Sequence, residues 1–312
     1  MACEEIADGV YCMEAGKGFM RSNVYFVRSG SSWVLVDTGS ANCGELIRQA
    51  ADSLFGLDAR PSSILITHDH PDHAGSALEL FRVWGCPVYV HPDELPLATG
   101  GLSTFEKFAS PMDRWVVLPL LRAMPRRRVE AMISKSSLKG VVQAFDPAVG
   151  VPFLPDWKCI PAPGHTPGEV ALFRPGDRVL ITGDAMLTVD LNSPLGYLRW
   201  ILRLSRQRVS WPPWLSTWDW KIAKQSAITL ARTSPSVLAS GHGVPISGAL
   251  LPQQLRALHR RFPEESAVSP GVRSLSTTRL PTPNCRAYEQ HWAILAIDRT
   301  LSKGPRQHGP FL

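Results

Sequence analysis

With 44% apolar and 19% charged residues, a chain of 312 residues can bury one large core, which excludes a disulfide-stapled mini-protein or a disordered low-complexity segment. No run of about eighteen apolar residues suggests a transmembrane helix, and MACEEIADGVYC has acids where a secretion signal needs basic and then apolar residues, so a cytoplasmic location is expected. The net charge of +6 is unevenly placed: residues 100–144 carry +5 and residues 185–220 carry +2, leaving the rest near neutral.

The first predicted elements are β-rich runs, VYCME (10–14), NVYFVR and WVLVDTG, separated by glycine and serine as in a meander. NCGELIRQAADSLF (42–55) has the apolar spacing of a helix, and SSILITH (62–68) reads as a buried strand that ends on a histidine. A helix over about 74–84 and a strand, CPVYVH (86–91), continue a layered α/β core. Residues 100–144 break this rhythm with an apolar, basic stretch holding three prolines. Strands return in WKCIPAPGH, EVALFRP and RVLITGD; residues 186–220 then form a second irregular insertion with five of the ten tryptophans. A helix over about 219–232, the strand SVLASGH (236–242) and a helix over about 248–261 complete the pattern. The reading is one domain over 1–262 with cap insertions at about 100–145 and 186–216, followed by a poorly packed extension over 263–312 rich in Ser, Pro, Thr and Arg. Six cysteines without short paired spacing read as reduced thiols.

The chemistry is concentrated in Thr67-His68-Asp69-His70-Pro71-Asp72-His73, directly after an apolar strand. A chain leaving a sheet edge can turn several side chains onto one point, and imidazole with carboxylate suits zinc or a similar divalent ion. His68 and His70 can chelate one ion, with Asp72 and His73 better placed for a second. Three further ligand-type residues, His165, Asp184 and His242, each end a predicted strand, beside glycine in every case. Asp69, lying between two chelating histidines, is expected to face away by alternation. Glu169 reads as structural, as does Asp37, a strand-end carboxylate that satisfies loop amides.

These segments resemble the metallo-β-lactamase superfamily: THDHPDH matches its HxHxDH motif, and PGHTPG, TGD and SGHG follow in family order over roughly residues 10–260. The resemblance implies a four-layer αββα sandwich of two mixed sheets with metals at one sheet edge. It implies that His68, His70 and His165 bind a first ion, that Asp72, His73 and His242 bind a second, and that Asp184 bridges both. Asp37 would support the site from behind the ligands. Two divalent ions, zinc with iron or manganese as alternatives, would then lower the pKa of a bound water from about 15.7 towards roughly 7. Asp72 or Asp184 would relay the proton to the leaving group. The expected activity is hydrolysis of an ester, lactone or thioester. The alternatives are an iron-dependent oxidoreductase of the persulfide dioxygenase type, or phosphodiesterase or β-lactamase chemistry on the same site.

The insertions bear on the substrate. Their Trp, Leu, Met and Arg content suits a small amphipathic or anionic molecule, but equally a helical cap or a homodimer interface. YLRWILRLSRQRVSWPPW also interleaves basic and aromatic residues as a membrane-surface segment does. Beyond its basic segments, the sequence carries no strong nucleic-acid signal.

Overall fold

The computed structural model describes residues 3–260. One sheet contains β1 (Glu4–Ala7), β2 (Val10–Ala15), β3 (Ser22–Ser29), β4 (Ser32–Val36), β5 (Ser63–Leu65), β6 (Val88–Val90) and β7 (Val142–Ala144), side by side in chain order. β1 to β4 are an antiparallel meander, whereas β4 to β7 run parallel. Parallel neighbours need long crossovers. α1 (Gly44–Phe55) and α2 (Ala77–Trp84) supply the first two, and the third holds α3 (Leu95–Thr99), α4 (Leu102–Lys107), a π-helical turn (Asp113–Val117), α5 (Leu118–Ala123) and α6 (Arg126–Ser136).

The second sheet holds β8 (Lys158–Pro161), β9 (Val170–Arg174), β10 (Val179–Ile181), β11 (Val237–Ala239) and β12 (Ile246–Ser247), in the spatial order β12-β11-β10-β9-β8. Between β10 and β11 lie α7 (Pro194–Ile201), a 3₁₀ turn (Trp214–Ser216) and α8 (Trp220–Arg232); α9 (Leu250–Arg260) follows β12. β10 and β11 are parallel, the other pairs antiparallel, so both sheets are mixed.

Side-chain alternation along the strands builds the layers. Leu35, Ile64 and Ile66 pack with Ile47, Leu80 and Trp84 of α1 and α2. Their neighbours Val34, Val36 and Leu65 face the other way and meet Leu172, Val179 and Ile181 of the second sheet. Leu180 and Leu238 turn from that interface to Leu230 of α8 and Leu255 of α9. Helix, sheet, sheet and helix therefore stack as the expected four-layer αββα sandwich.

The differences from the sequence reading are local. α2 begins at Ala77 rather than near 74, because the ligand-bearing chain is still a loop there, held by amides of His73 and Ala74 donating to the His70 carbonyl. β7 lies inside the predicted insertion of 100–145 and pairs with β6. The rest of that insertion is mostly helical, and two of its three prolines stand at helix starts. Pro111 opens the helical run and Pro125 caps α6, positions where a missing amide hydrogen removes no bond, whereas Pro119 follows directly on the π-helical turn. Cys3, Cys12, Cys43, Cys86 and Cys159 are free thiols. Cys285 and the extension 263–312 lie outside the described residues.

Leu65 is fully buried between the two sheets. Leu65→Ala is expected to cost about 2–5 kcal/mol in chemical denaturation, through lost burial and the cavity left behind. A loss below about 1 kcal/mol would contradict this packing.

Candidate metal centre

Parallel pairing in both sheets points several strand ends the same way. β4 ends at Asp37; β5 runs through Ile66 and Thr67 into His68, His70, Asp72 and His73; β8 leads to His165; β10 leads to Asp184 and β11 to His242. The structure brings all seven predicted ligands together at this edge. His68, His70 and His165 form one group with ligand-type atoms within 4.8 Å of one another, and Asp72, His73 and His242 form another. Asp184 reaches both. Its Oδ1 lies 3.5 Å from His73 Nε2, while its Oδ2 lies 3.5 Å from His165 Nε2 and 3.2 Å from His242 Nε2. Asp72 Oδ2 stands 3.3 Å from His242 Nε2. Gly241 permits this approach, since a Cβ there would run into Asp184 Oδ1 and the His73 ring.

The tautomers of four rings follow from their outer partners. His242 Nδ1 lies 2.7 Å from the Arg21 carbonyl, which can only accept, so Nδ1 carries the hydrogen. His73 Nδ1 donates to Asp37 Oδ2 at 2.8 Å. Thr67 Oγ1 donates to Asp37 and Thr217 Oγ1 donates to the Pro213 carbonyl, leaving each hydroxyl as acceptor for the Nδ1–H of His68 and His165, both at 3.1 Å. All four Nε2 atoms therefore face the centre. Those of His68, His73 and His165, with Asp184 Oδ1, are buried without any hydrogen-bond partner. Buried polar atoms left unpaired in this way are costly. A divalent cation satisfies them, so the residues present fit a metal of the zinc, iron or manganese class.

The local electrostatics divide the five rings into two sets. Burial and neighbouring rings hold His68 and His165 well below the usual imidazole range, and burial also lowers His70, so these rings stay neutral. Burial opposes charge on His73 and His242, yet the nearby carboxylates overcome it, raising His73 to about 9 and His242 well above its ordinary value. Asp72 and Asp184 are driven well below the carboxylate range by those imidazoles despite burial, and remain ionised.

Several supporting groups escaped the sequence reading. Glu94, fully buried in the loop before α3, accepts from the Asp69 amide (2.7 Å), the Thr166 hydroxyl (2.9 Å) and the Gly168 amide (2.8 Å). It ties the His68–His73 loop to the His165 loop, and burial lifts its pKa to about 7. Thr217 and the Arg21 carbonyl were also unforeseen, because nothing near them in sequence marks them. Glu169 Oε1 accepts from the Asp184 amide at 2.6 Å, a structural role as expected. Asp37 also accepts from the Thr67 amide at 2.7 Å, so it serves a loop amide and the His73 ring together. Asp69 belongs to none of the ligand groups; its carboxyl is pushed up by burial and by the Glu94 charge.

The fold and this cluster define a metallo-hydrolase-type protein: the chain belongs to the metallo-beta-lactamase superfamily, whose profile matches residues 18–242. Among its relatives is the probable metallo-hydrolase YflN of Bacillus subtilis, 33% identical over 261 residues that span 83% of this chain and 92% of the relative. A metallo-beta-lactamase family protein of Thermus thermophilus shares the fold with a TM-score of 0.55 at 22% identity, over 82% of this chain and 80% of its own. A beta-lactamase domain protein of Burkholderia ambifaria does so with a TM-score of 0.53 at 20% identity, over 83% and 75%.

Asp37→Ala should weaken metal affinity about 10–100-fold while the ligands themselves remain, because the His73 tautomer and orientation are released. Competition with a chromogenic chelator measures this; unchanged affinity would remove Asp37 from the site. Ligation requires the protons on His73 and His242 to leave, so metal uptake near neutrality should release protons and affinity should rise with pH. Calorimetry in buffers of different ionisation enthalpy reads the release. An affinity constant between about pH 6 and about pH 9 would contradict it.

Proposed function

We propose that this protein is a binuclear, zinc-loaded hydrolase of small amphipathic or anionic esters, lactones or thioesters. The observation that carries the reading is Asp184, whose Oδ1 lies beside His73 and whose Oδ2 lies beside both His165 and His242, so that one carboxylate adjoins both histidine groups while the Nδ1–H of four rings is pinned outward. His68, His70 and His165 would hold one ion, Asp72, His73 and His242 the other, and Asp184 both. When bound, such a pair supplies a hydroxide nucleophile at neutral pH and polarises the substrate oxygen.

The chain's own residues account for the rest. Asp72 and Asp184 place carboxylate oxygens at the centre, Asp72 Oδ2 3.3 Å and Asp184 Oδ2 3.2 Å from His242 Nε2, so one of them would relay a proton to the leaving group. Thr67, Thr217, Asp37 and the Arg21 carbonyl hold the rings against rotation, so little reorganisation is needed as charge develops. Trp200 stands edge-on to His242 with ring centroids 5.8 Å apart, an apolar wall from the second insertion. Phe108 and Trp218, 5.2 Å apart, join the two insertions near His165, whose carbonyl accepts from the Trp218 amide.

The test is a screen of the metal-loaded full chain on chromogenic esters, lactones, thioesters, phosphodiesters and β-lactams, with metal analysis. Two metals per chain and turnover of the first three classes are expected, with His70→Ala losing at least about 100-fold in kcat/KM. One iron per chain with no hydrolysis, or turnover confined to phosphodiesters or β-lactams, would overturn the reading.

A further inference from the structure

α7 is inverted relative to an ordinary surface helix. Leu195, Leu198, Ile201 and Leu202 recur at three- and four-residue spacing and so share one stripe, yet all four are exposed. The helix is anchored instead by buried Trp200, under the Arg21 guanidinium at 4.0 Å from the ring centroid. The first insertion does the same, leaving Trp115 66% and Leu120 62% exposed. Trp115 and Trp214, with ring centroids 6.3 Å apart, join the two surfaces. Thirteen of the twenty exposed large apolar side chains among the described residues lie in the two insertions, which make up under a third of those residues. An apolar face of this extent marks an interaction site.

Charge selects the occupant. The whole positive excess of the chain falls in the same two segments, +5 over 100–144 and +2 over 185–220. Arg122, Arg127 and Arg128 in the first and Arg199 and Arg206 in the second are exposed among the apolar groups. A two-fold pairing of copies would set this basic face against itself. Nucleic acid would leave an aliphatic stripe without a partner. Leucine and tryptophan at the level of acyl chains, with arginine at phosphate height, match an anionic lipid surface.

We propose that the two insertions together dock the protein onto anionic bilayers. The metal centre borders the docking face, for Thr217, which holds His165, lies three residues beyond Trp214. The substrate class this adds, an amphiphilic ester whose acyl chain sits in the lipid, rests on the hydrolase reading above; the docking does not.

The full chain is sedimented with vesicles of phosphatidylcholine alone and with about 30% phosphatidylserine, at about 0.1 and about 0.5 M salt. Binding is expected only to the anionic vesicles, at least about tenfold weaker at the higher salt. Leu198→Asp with Leu202→Asp should lower partitioning at least about tenfold with circular dichroism and metal content unchanged. Arg199→Glu with Arg206→Glu, which leaves the stripe intact, should weaken binding mainly at low salt. Absence of vesicle binding, binding indifferent to both variants, or a dimer that the leucine variant dissolves would overturn the proposal. Hydrolysis of a water-soluble ester, measured without vesicles, separates its failure from failure of the hydrolase reading.

Discussion

The arrangement depends on one costly juxtaposition: imidazole rings and two ionised carboxylates brought together where two sheets meet, with little water access. Unpaired buried polar atoms oppose folding, and like groups crowd one another. The protein holds them by fastening the outer side of each ring. Asp37, Thr67, Thr217 and the Arg21 carbonyl each take an Nδ1–H, so each Nε2 turns inward. The strain of assembling the centre is thus borne by hydrogen bonds to groups that are themselves buried in the sandwich.

The sandwich makes those bonds available. Apolar alternation buries both faces of each sheet, and parallel pairing gathers strand ends at one edge. Across the interface, Asn23 and Tyr25 of β3 donate to carbonyls around Ser240 and Gly243, joining the first sheet to the loop that bears His242. Glu94 performs the matching task on the other side, between the loops of His68 and His165. A hydrophobic core on each side of both sheets therefore sets ligand positions.

Much of this was legible in the chain. A histidine or aspartate next to glycine at the end of a buried strand is conspicuous, and His68, His70, Asp72, His73, His165, Asp184 and His242 all carry that signal or belong to the dense histidine motif. Asp37 was legible as a strand-end carboxylate serving loop amides, though its bond to His73 was not. Glu94 and Thr217 were silent because their partners lie 25 to 74 and 52 residues away, and no local pattern announces such bonds. The first insertion looked irregular because its prolines read as breakers, whereas Pro111 and Pro125 stand at helix starts, where proline favours helix.

Residue type and spacing alone determined the layered α/β class, the candidate ligands and the concentration of charge and tryptophan in two insertions, since these are properties of local periodicity and composition. Only the tertiary structure decided which ring nitrogen faces the centre and that Asp184 reaches both groups. It alone turned the leucine stripe of α7 outward. Each of these depends on which distant segments pack together, and a one-dimensional pattern cannot say which face of a helix its neighbours will cover.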